Sequence, residues 1–351
     1  MKTIAIPLFI LLLMVNTKQA YSQQGTYAER LGYPAGAKVV IFHVDDAGMS
    51  FESNQGAKIS IEQGMASSCS IMMPCPWAAD IAKHAIAHPE MDAGLHLTLT
   101  SEWKAYRWGP VAGKSQVPTL VDKEGNLWST VEEVLQHATA DDVEREIRAQ
   151  IDRALSLGLQ PTHMDAHMGT LFASDEFLER YIKVGIAYKI PVMFPGGNNK
   201  LLTESMILPI IREMKAQGTY TEGIEIPKPK ILEKTPAVGQ MIWKAGLPVL
   251  DDLHTISGSW KPEHEVSAEE WGKYKAEQCI KLLEDMEPGL AMVIVHSSEM
   301  TDTFRHISNS GGSRYADMLA MIDPTLRAYI EKEGIILTTW REVMRRRQQV
   351  K

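Results

Sequence analysis

Apolar and polar positions along the chain fall into short blocks that alternate between two periods. Residues 38–42 (KVVIF) form a β-branched and aromatic run of the kind that a buried strand carries. Residues 51–63 have helical character and stop at Gly64, and residues 65–73 (MASSCSIMM) read as a second strand, ended by Pro74 and Pro76. An Ala- and Ile-rich helix over 77–87 and a strand over 93–99 follow. The rhythm returns further on. A helix over 141–157 has Asp141 and Asp142 at its N-terminus and Gly158 after its end. A strand ends over 162–165, a helix covers 175–188 and a strand covers 191–194. Residues 292–295 (MVIV) and 335–338 (IILT) supply the last two strands. Strand alternating with helix implies parallel strands joined by right-handed crossovers, which predicts an α/β sheet or barrel.

Two stretches break the rhythm. Residues 102–130 hold Trp103, Tyr106, Trp108 and Trp128 among Gly and Pro, and residues 223–260 are rich in Pro and Gly and include Trp243 and Trp260. Long irregular segments inside a domain are usually functional or disordered, and this aromatic content argues against disorder. No internal repeat, low-complexity tract or linker divides the chain. The expected organisation is therefore one domain over 23–351 with insertions near 102–130 and 223–260.

Residues 1–22 have the three-part layout of a secretory signal: Lys2, an apolar run over about 4–15, and a polar segment ending Ala20-Tyr21-Ser22. The run is too short to span a bilayer, which takes about 20 residues. The mature chain is expected to be exported, periplasmic or secreted, with no membrane span. Removing Lys2 and Lys18 leaves 34 bases against 44 acids and takes the formal net charge from −8 to −10. Such a balance makes the chain a poor candidate for binding nucleic acid or anionic lipid, and neither is expected as a partner. Cys69, Cys75 and Cys279 are a sparse, odd set without a CxxC spacing, and they read as small buried hydrophobes.

Candidate chemistry gathers at strand ends. His43, Asp45 and Asp46 follow the first strand, His96 ends the third, His163, Asp165 and His167 end the fourth, and His296 follows a late one. Carboxyl ends of parallel strands converge on one face, where α/β enzymes build their sites. A lone strand-end histidine is more often a capping or packing residue, but four strand ends so furnished point to a metal. Two imidazoles and a carboxylate leave open positions on a divalent ion. Water acidified there can attack a carbonyl near neutral pH, and a second carboxylate can take its proton. This gives the adjacent acids Asp45 and Asp46 separate tasks, because successive side chains at a strand end diverge and Gly48 allows a sharp bend. His84, His88, His137, His254, His264 and His306 lack partner motifs and are expected to be solvated or capping residues.

The stretches HVDDAGMS (43–50), GLHLTLT (94–100) and PTHMDAHMG (161–169) resemble three hallmark motifs of the YdjC-like (ChbG/HpnK) carbohydrate deacetylases, relatives of the polysaccharide deacetylases. The resemblance covers about 39–194 well and the remainder loosely. It implies a distorted β/α barrel with the metal site at the C-terminal strand ends, and removal of acetyl groups from an acetylated mono- or oligosaccharide. Carried over by motif, Asp45 resembles the catalytic base, and Asp46, His96 and His167 the metal ligands. By the same analogy His296 protonates the leaving amine or stabilises the oxyanion, although the chain reads VHSSEM where the family carries an HPG-like motif. His43 stands where Asn is usual and Ala47 where Phe is common. Both changes line the expected pocket and bear on the substrate.

His163, Asp165 and His167 alternate on one strand face. With His167 as ligand, Asp165 is expected to orient a ligand imidazole, and His163 to be either a ligand or a support, second to His167. The donor set suits one divalent ion, zinc in preference to magnesium, which favours an all-oxygen shell. Sugars stack on aromatic rings, so His43, Trp103, Tyr106 and Trp108 are the candidate substrate contacts. Two other readings are another metal hydrolase on the same barrel, cleaving an ester or cyclic amide, and a secreted sugar-binding protein with a decayed site.

Overall fold

The apolar runs become strands buried on both faces. The computed structural model describes residues 25–227, 229 and 231–350, and the signal-like segment 1–22 lies outside them. Among the described residues, seven strands form one sheet: β1 Lys38–Ala47, β2 Ser68–Ile71, β3 Ala93–Leu97, β4 Met164–Ala166, β5 Asp252–His254, β6 Gly289–Val295 and β7 Ile336–Leu337. Their order is β4-β3-β2-β1-β6-β5, with β7 also paired to β1, and the named strand pairs are all parallel. β1 is central and is buried along its whole length after Lys38. β1 beyond Lys38 and all of β6 are buried throughout, which is why both are continuous rather than alternating apolar runs. The architecture is an α/β fold of parallel strands, a distorted β/α barrel.

The two sheet edges approach each other through residues 192–195, where Val192 bridges Met164 and Pro195 bridges Leu250. The strand expected over 191–194 is reduced to these bridges, because Pro191 and Pro195 cannot donate to a ladder. The segment 223–260 departs from its reading as an irregular insertion. It contains the helix Ile231–Lys244 and the edge strand β5. The acids before and within β5 hide it from pattern reading, yet both act as backbone acceptors. Asp251 accepts from the N–H groups of Tyr27, Ala28 and Leu290, and Asp252 from those of Leu201, Leu202 and Leu253. Cys69, Cys75 and Cys279 are free and buried. No helix among the described residues is long and apolar enough to cross a membrane.

Candidate active site

The adjacent acids are set by an irregularity in β1. Val44 pairs with Cys69 and Ala47 with Ile71, so β1 spends three steps where β2 spends two. The extra residue is a bulge. Asp46 sits in it with φ 63°, and Gly48 follows at φ 87°. A left-handed carboxylate residue costs on the order of 1 kcal/mol. The consequence corrects the expectation from a regular strand. Asp45 and Asp46 do not diverge to opposite faces; both reach the same imidazole, at 3.8 Å and 3.3 Å from His96 Nε2 respectively.

Three atoms converge beside them. Asp46 Oδ1 lies 3.3 Å from His96 Nε2 and 3.2 Å from His167 Nδ1, and the two nitrogens are 3.1 Å apart. Four ligands about 2.0–2.1 Å from a tetrahedral ion are about 3.3 Å from one another, so these separations fit one divalent ion. Asp46 Oδ1 is buried and has no hydrogen-bond partner among the described residues, while its Oδ2 accepts from Arg314 Nη1 at 2.7 Å. The carboxylate is thus fixed through one oxygen and free through the other. Two further groupings, His43–His163–Asp165 and Asp45–His96–Asp165, have donor atoms close enough to hold a metal. Asp165 is committed in both to holding imidazoles.

That commitment is visible in the row beneath. His96 Nδ1 is 2.6 Å from Asp165 Oδ1, which leaves Nε2 facing the convergence point. His43 Nε2 is 3.0 Å from Asp165 Oδ2 and 3.2 Å from Asp45 Oδ1, so one imidazole links the two carboxylates. His43 is fully buried. It supports the site from below instead of lining a substrate pocket, which revises the sequence expectation. His163 is also fully buried, stacked on Trp340 with ring centroids 5.1 Å apart. A Cβ at Gly94 would meet its ring at 2.3 Å, so the glycine of GLHL is there to admit this histidine. His163 Nε2 stands 3.6 Å from Asp165 Oδ2.

Two contributors had no signal in the sequence reading. Arg314 comes from the helix Gly311–Met321, far along the chain and outside any motif. Glu102, in the segment after β3, places both carboxylate oxygens 3.2 Å from His167 Nε2. The only hint was its position just past GLHLTLT.

The charges here are mutually dependent. Burial opposes ionisation of Asp46, but Arg314, His167 and His96 hold its carboxyl well below the usual range. Burial likewise opposes protonation of the imidazoles. For His167, Glu102 and Asp46 override it and raise the pKa to about 9, and for His43, Asp165 and Asp45 do the same. His96 is raised well above its ordinary value by Asp45, Asp165 and Asp46, again against burial. The carboxylates Asp45, Asp46, Glu102 and Asp165 surround the imidazoles, and Arg314 pairs with Asp46, so the cluster favours added positive charge of the kind a divalent ion would bring to the point where three donor atoms meet.

Asp45 and His296 border a cavity of about 670 Å³. His296 Nε2 is 4.0 Å from Asp45 Oδ2, its side chain is 28% exposed, and burial pushes its pKa below the ordinary 6.5. The tryptophan loop has other duties. Trp108 is buried in the core and donates from Nε1 to the Thr100 carbonyl. Its ring packs edge-on with Trp103 and Tyr106, and Tyr106 donates its hydroxyl to the Met49 carbonyl. The structure brings Asp45, Asp46, His96, His167, Asp165 and His296 together, keeps His43 and His163 beneath them, and uses Trp108 as packing. His254 is another correction. It is buried and stacked on Trp260 at 4.8 Å, not solvated.

A family model described as YdjC-like protein matches residues 39–332. The chain is 29% identical over 316 residues to a carbohydrate deacetylase of Thermus thermophilus, covering 90% of this chain and 97% of the relative. It is 36% identical over 186 residues to a carbohydrate deacetylase of Geobacillus stearothermophilus, covering 49% and 72% respectively. A crystal structure from Enterococcus faecalis V583, of a protein described in connection with cellobiose-phosphate cleavage, superposes with a TM-score of 0.64 at 18% identity. It covers 87% of this chain and 98% of its own, a likeness of fold.

Proposed function

The chain belongs to the YdjC-like family, and we propose that it is a metal-dependent carbohydrate deacetylase that removes acetyl groups from an acetylated mono- or oligosaccharide. The observation that carries this reading is the convergence of Asp46 Oδ1, His96 Nε2 and His167 Nδ1 within 3.1–3.3 Å of one another, beside the second carboxylate Asp45. Relatives that bear the name carbohydrate deacetylase support it. Asp46, His96 and His167 would hold the ion, zinc by donor type, with magnesium as the alternative. Such an ion acidifies water and polarises a carbonyl.

The chain's own residues supply the rest. Asp165 holds the His96 tautomer through Nδ1 and directs Nε2 to the site. Asp45, held through Oδ1 by His43 and with Oδ2 facing His296, takes the proton of the attacking water. Burial lowers the His296 pKa from its ordinary value. The task of His296 in this reading is to relay the proton collected by Asp45 to the departing nitrogen or oxygen. Export follows from residues 1–22, whose layout is that of a signal sequence.

The test is acetate release from a panel of N- and O-acetylated sugars, measured before and after chelation and after zinc is restored. Release that falls on chelation and returns with zinc is expected. Acetate production indifferent to chelator removes the metal from the reading, and no release from any sugar overturns the function.

A further inference from the structure

His296 stands between two cavities of opposite character. The larger, about 670 Å³, begins at Asp45 and His296 and is walled by Phe172, Leu178, Met193, Phe194, Leu202 and Met206. Its other charged lining residues, Asp175, Glu179 and Lys234, are solvent-exposed and mark its outer edge, where Asp175 and Lys234 pair at 2.6 Å. The smaller, about 340 Å³, shares His296 but is lined by Lys261, Trp271, Asn309, Ser310, Arg314 and Asp317. The small cavity offers hydroxyl groups donors, acceptors and one indole ring. The large one is mainly hydrocarbon and thioether, with Thr235 and Thr255 among its few polar groups besides Asp45, His296 and the charged rim.

An acetyl group ends in a single methyl, which leaves nearly all of that apolar wall without a partner. Apolar lining without contact atoms forfeits dispersion energy, and pockets of this size ordinarily enclose most of a ligand that fills them. We propose that the acyl group removed at this site carries an aliphatic chain. The chain lies in the large chamber and the sugar in the polar cleft on the other side of His296. The inference rests on the hydrolase reading above and replaces its acetyl group with a longer acyl chain as the preferred leaving acid. The carbonyl carbon attacked beside Asp45 has two substituents, and the two cavities diverge from that point. The apolar one receives the carbon chain, and the polar one receives the nitrogen or oxygen that bears the sugar. In the reaction, water oxygen bonds to the carbonyl carbon and the carbon–nitrogen or carbon–oxygen bond breaks. The fatty acid leaves as carboxylate; both protons of the water end on a sugar amine, which departs as ammonium, whereas with an ester one goes to the sugar hydroxyl and the other to solvent.

At about 30 Å³ for a group the size of a water molecule, a chamber of about 670 Å³ has room for roughly twenty carbons. Burying successive methylenes should raise kcat/KM by about two- to fourfold each until it is filled.

The experiment uses the mature chain supplied with zinc and follows carboxylate release from N-acetyl-, N-hexanoyl- and N-dodecanoyl-glucosamine. Dodecyl N-acetylglucosaminide carries its chain on the sugar instead and serves as the comparison. Calorimetric binding of dodecanoate gives a readout that needs no turnover. The expected result is a dodecanoyl-to-acetyl ratio in kcat/KM of about 1,000 or more, with measurable dodecanoate binding. Met206→Trp, which narrows the chamber, should lower that ratio at least about tenfold, and Leu232→Trp serves if the first variant does not fold. Acetate release with no gain on lengthening the acyl chain overturns the inference and leaves the hydrolase reading intact. A gain confined to the dodecyl glycoside also overturns it. No carboxylate from any substrate overturns the hydrolase reading itself, and absence of dodecanoate binding overturns the chamber assignment whatever the turnover.

Discussion

Asp165→Asn removes one charge and almost no volume from beneath the candidate ligand His96. In the wild-type chain Asp165 Oδ1 lies 2.6 Å from His96 Nδ1, a charge-assisted bond that keeps the proton on Nδ1 and the lone pair of Nε2 toward Asp46 and His167. Asparagine can present its amide N–H instead, which favours the opposite tautomer and takes the lone pair away from the site. A hydrogen bond to a charged group contributes about 1.5–3 kcal/mol, which corresponds to roughly 10- to 150-fold in affinity. Ser70 Oγ, 3.2 Å from the same nitrogen, is a weaker substitute acceptor and limits the loss. The expected outcome is therefore zinc affinity weaker by about 10- to 100-fold, the range found for outer partners of metal-bound histidines. Zinc competition against a chromogenic chelator measures this, with near-UV circular dichroism of the metal-free protein as the check on folding. A correctly folded variant that binds zinc within threefold of wild type would falsify the orienting role of Asp165.

Asp45→Asn should retain its zinc and lose about 100-fold or more in kcat, the scale of a missing general base; turnover close to wild type takes Asp45 out of the chemistry. Trp108→Ala should cost about 3–5 kcal/mol in urea denaturation, as expected for truncating a buried indole. A raised KM with unchanged stability would return that ring to the substrate. Burial depresses the His254 pKa to about 4, whereas the unfolded chain titrates near 6.5, so the unfolded state binds the extra proton between those values. Stability that is full above pH 6.5 is then lost as the pH falls through 4, by up to about 3 kcal/mol. His254→Phe, which can keep the stack on Trp260, should flatten that part of the stability curve between pH 4 and 7. An unchanged slope would mean that His254 keeps its ordinary pKa in the folded chain.

The order and parallel direction of most strands were legible because burial on both faces leaves a local mark, an unbroken apolar run such as VVIF in β1 or MVIV in β6. The candidate donors were legible for a related reason: parallel connections carry every strand's carboxyl end to one mouth, so polar residues at strand ends meet whatever their separation along the chain. β5 was not legible, since three residues that begin with an acid carry no pattern. Nor were Arg314 and Glu102, whose positions depend on how a late helix and a loop pack against the mouth. Tertiary structure alone decided which imidazoles face the cavity and which lie under it. His43 and His96 both come from strand ends, yet the first is enclosed between Asp45 and Asp165 while the second reaches the point where the donors meet. Sequence by itself determined which chemistry was available and at which end of the sheet. The bulge that sets Asp46 at φ 63°, the fate of the Trp108 ring and the apolar chamber beside Asp45 came from packing between distant segments, and such contacts leave no periodic trace in a chain.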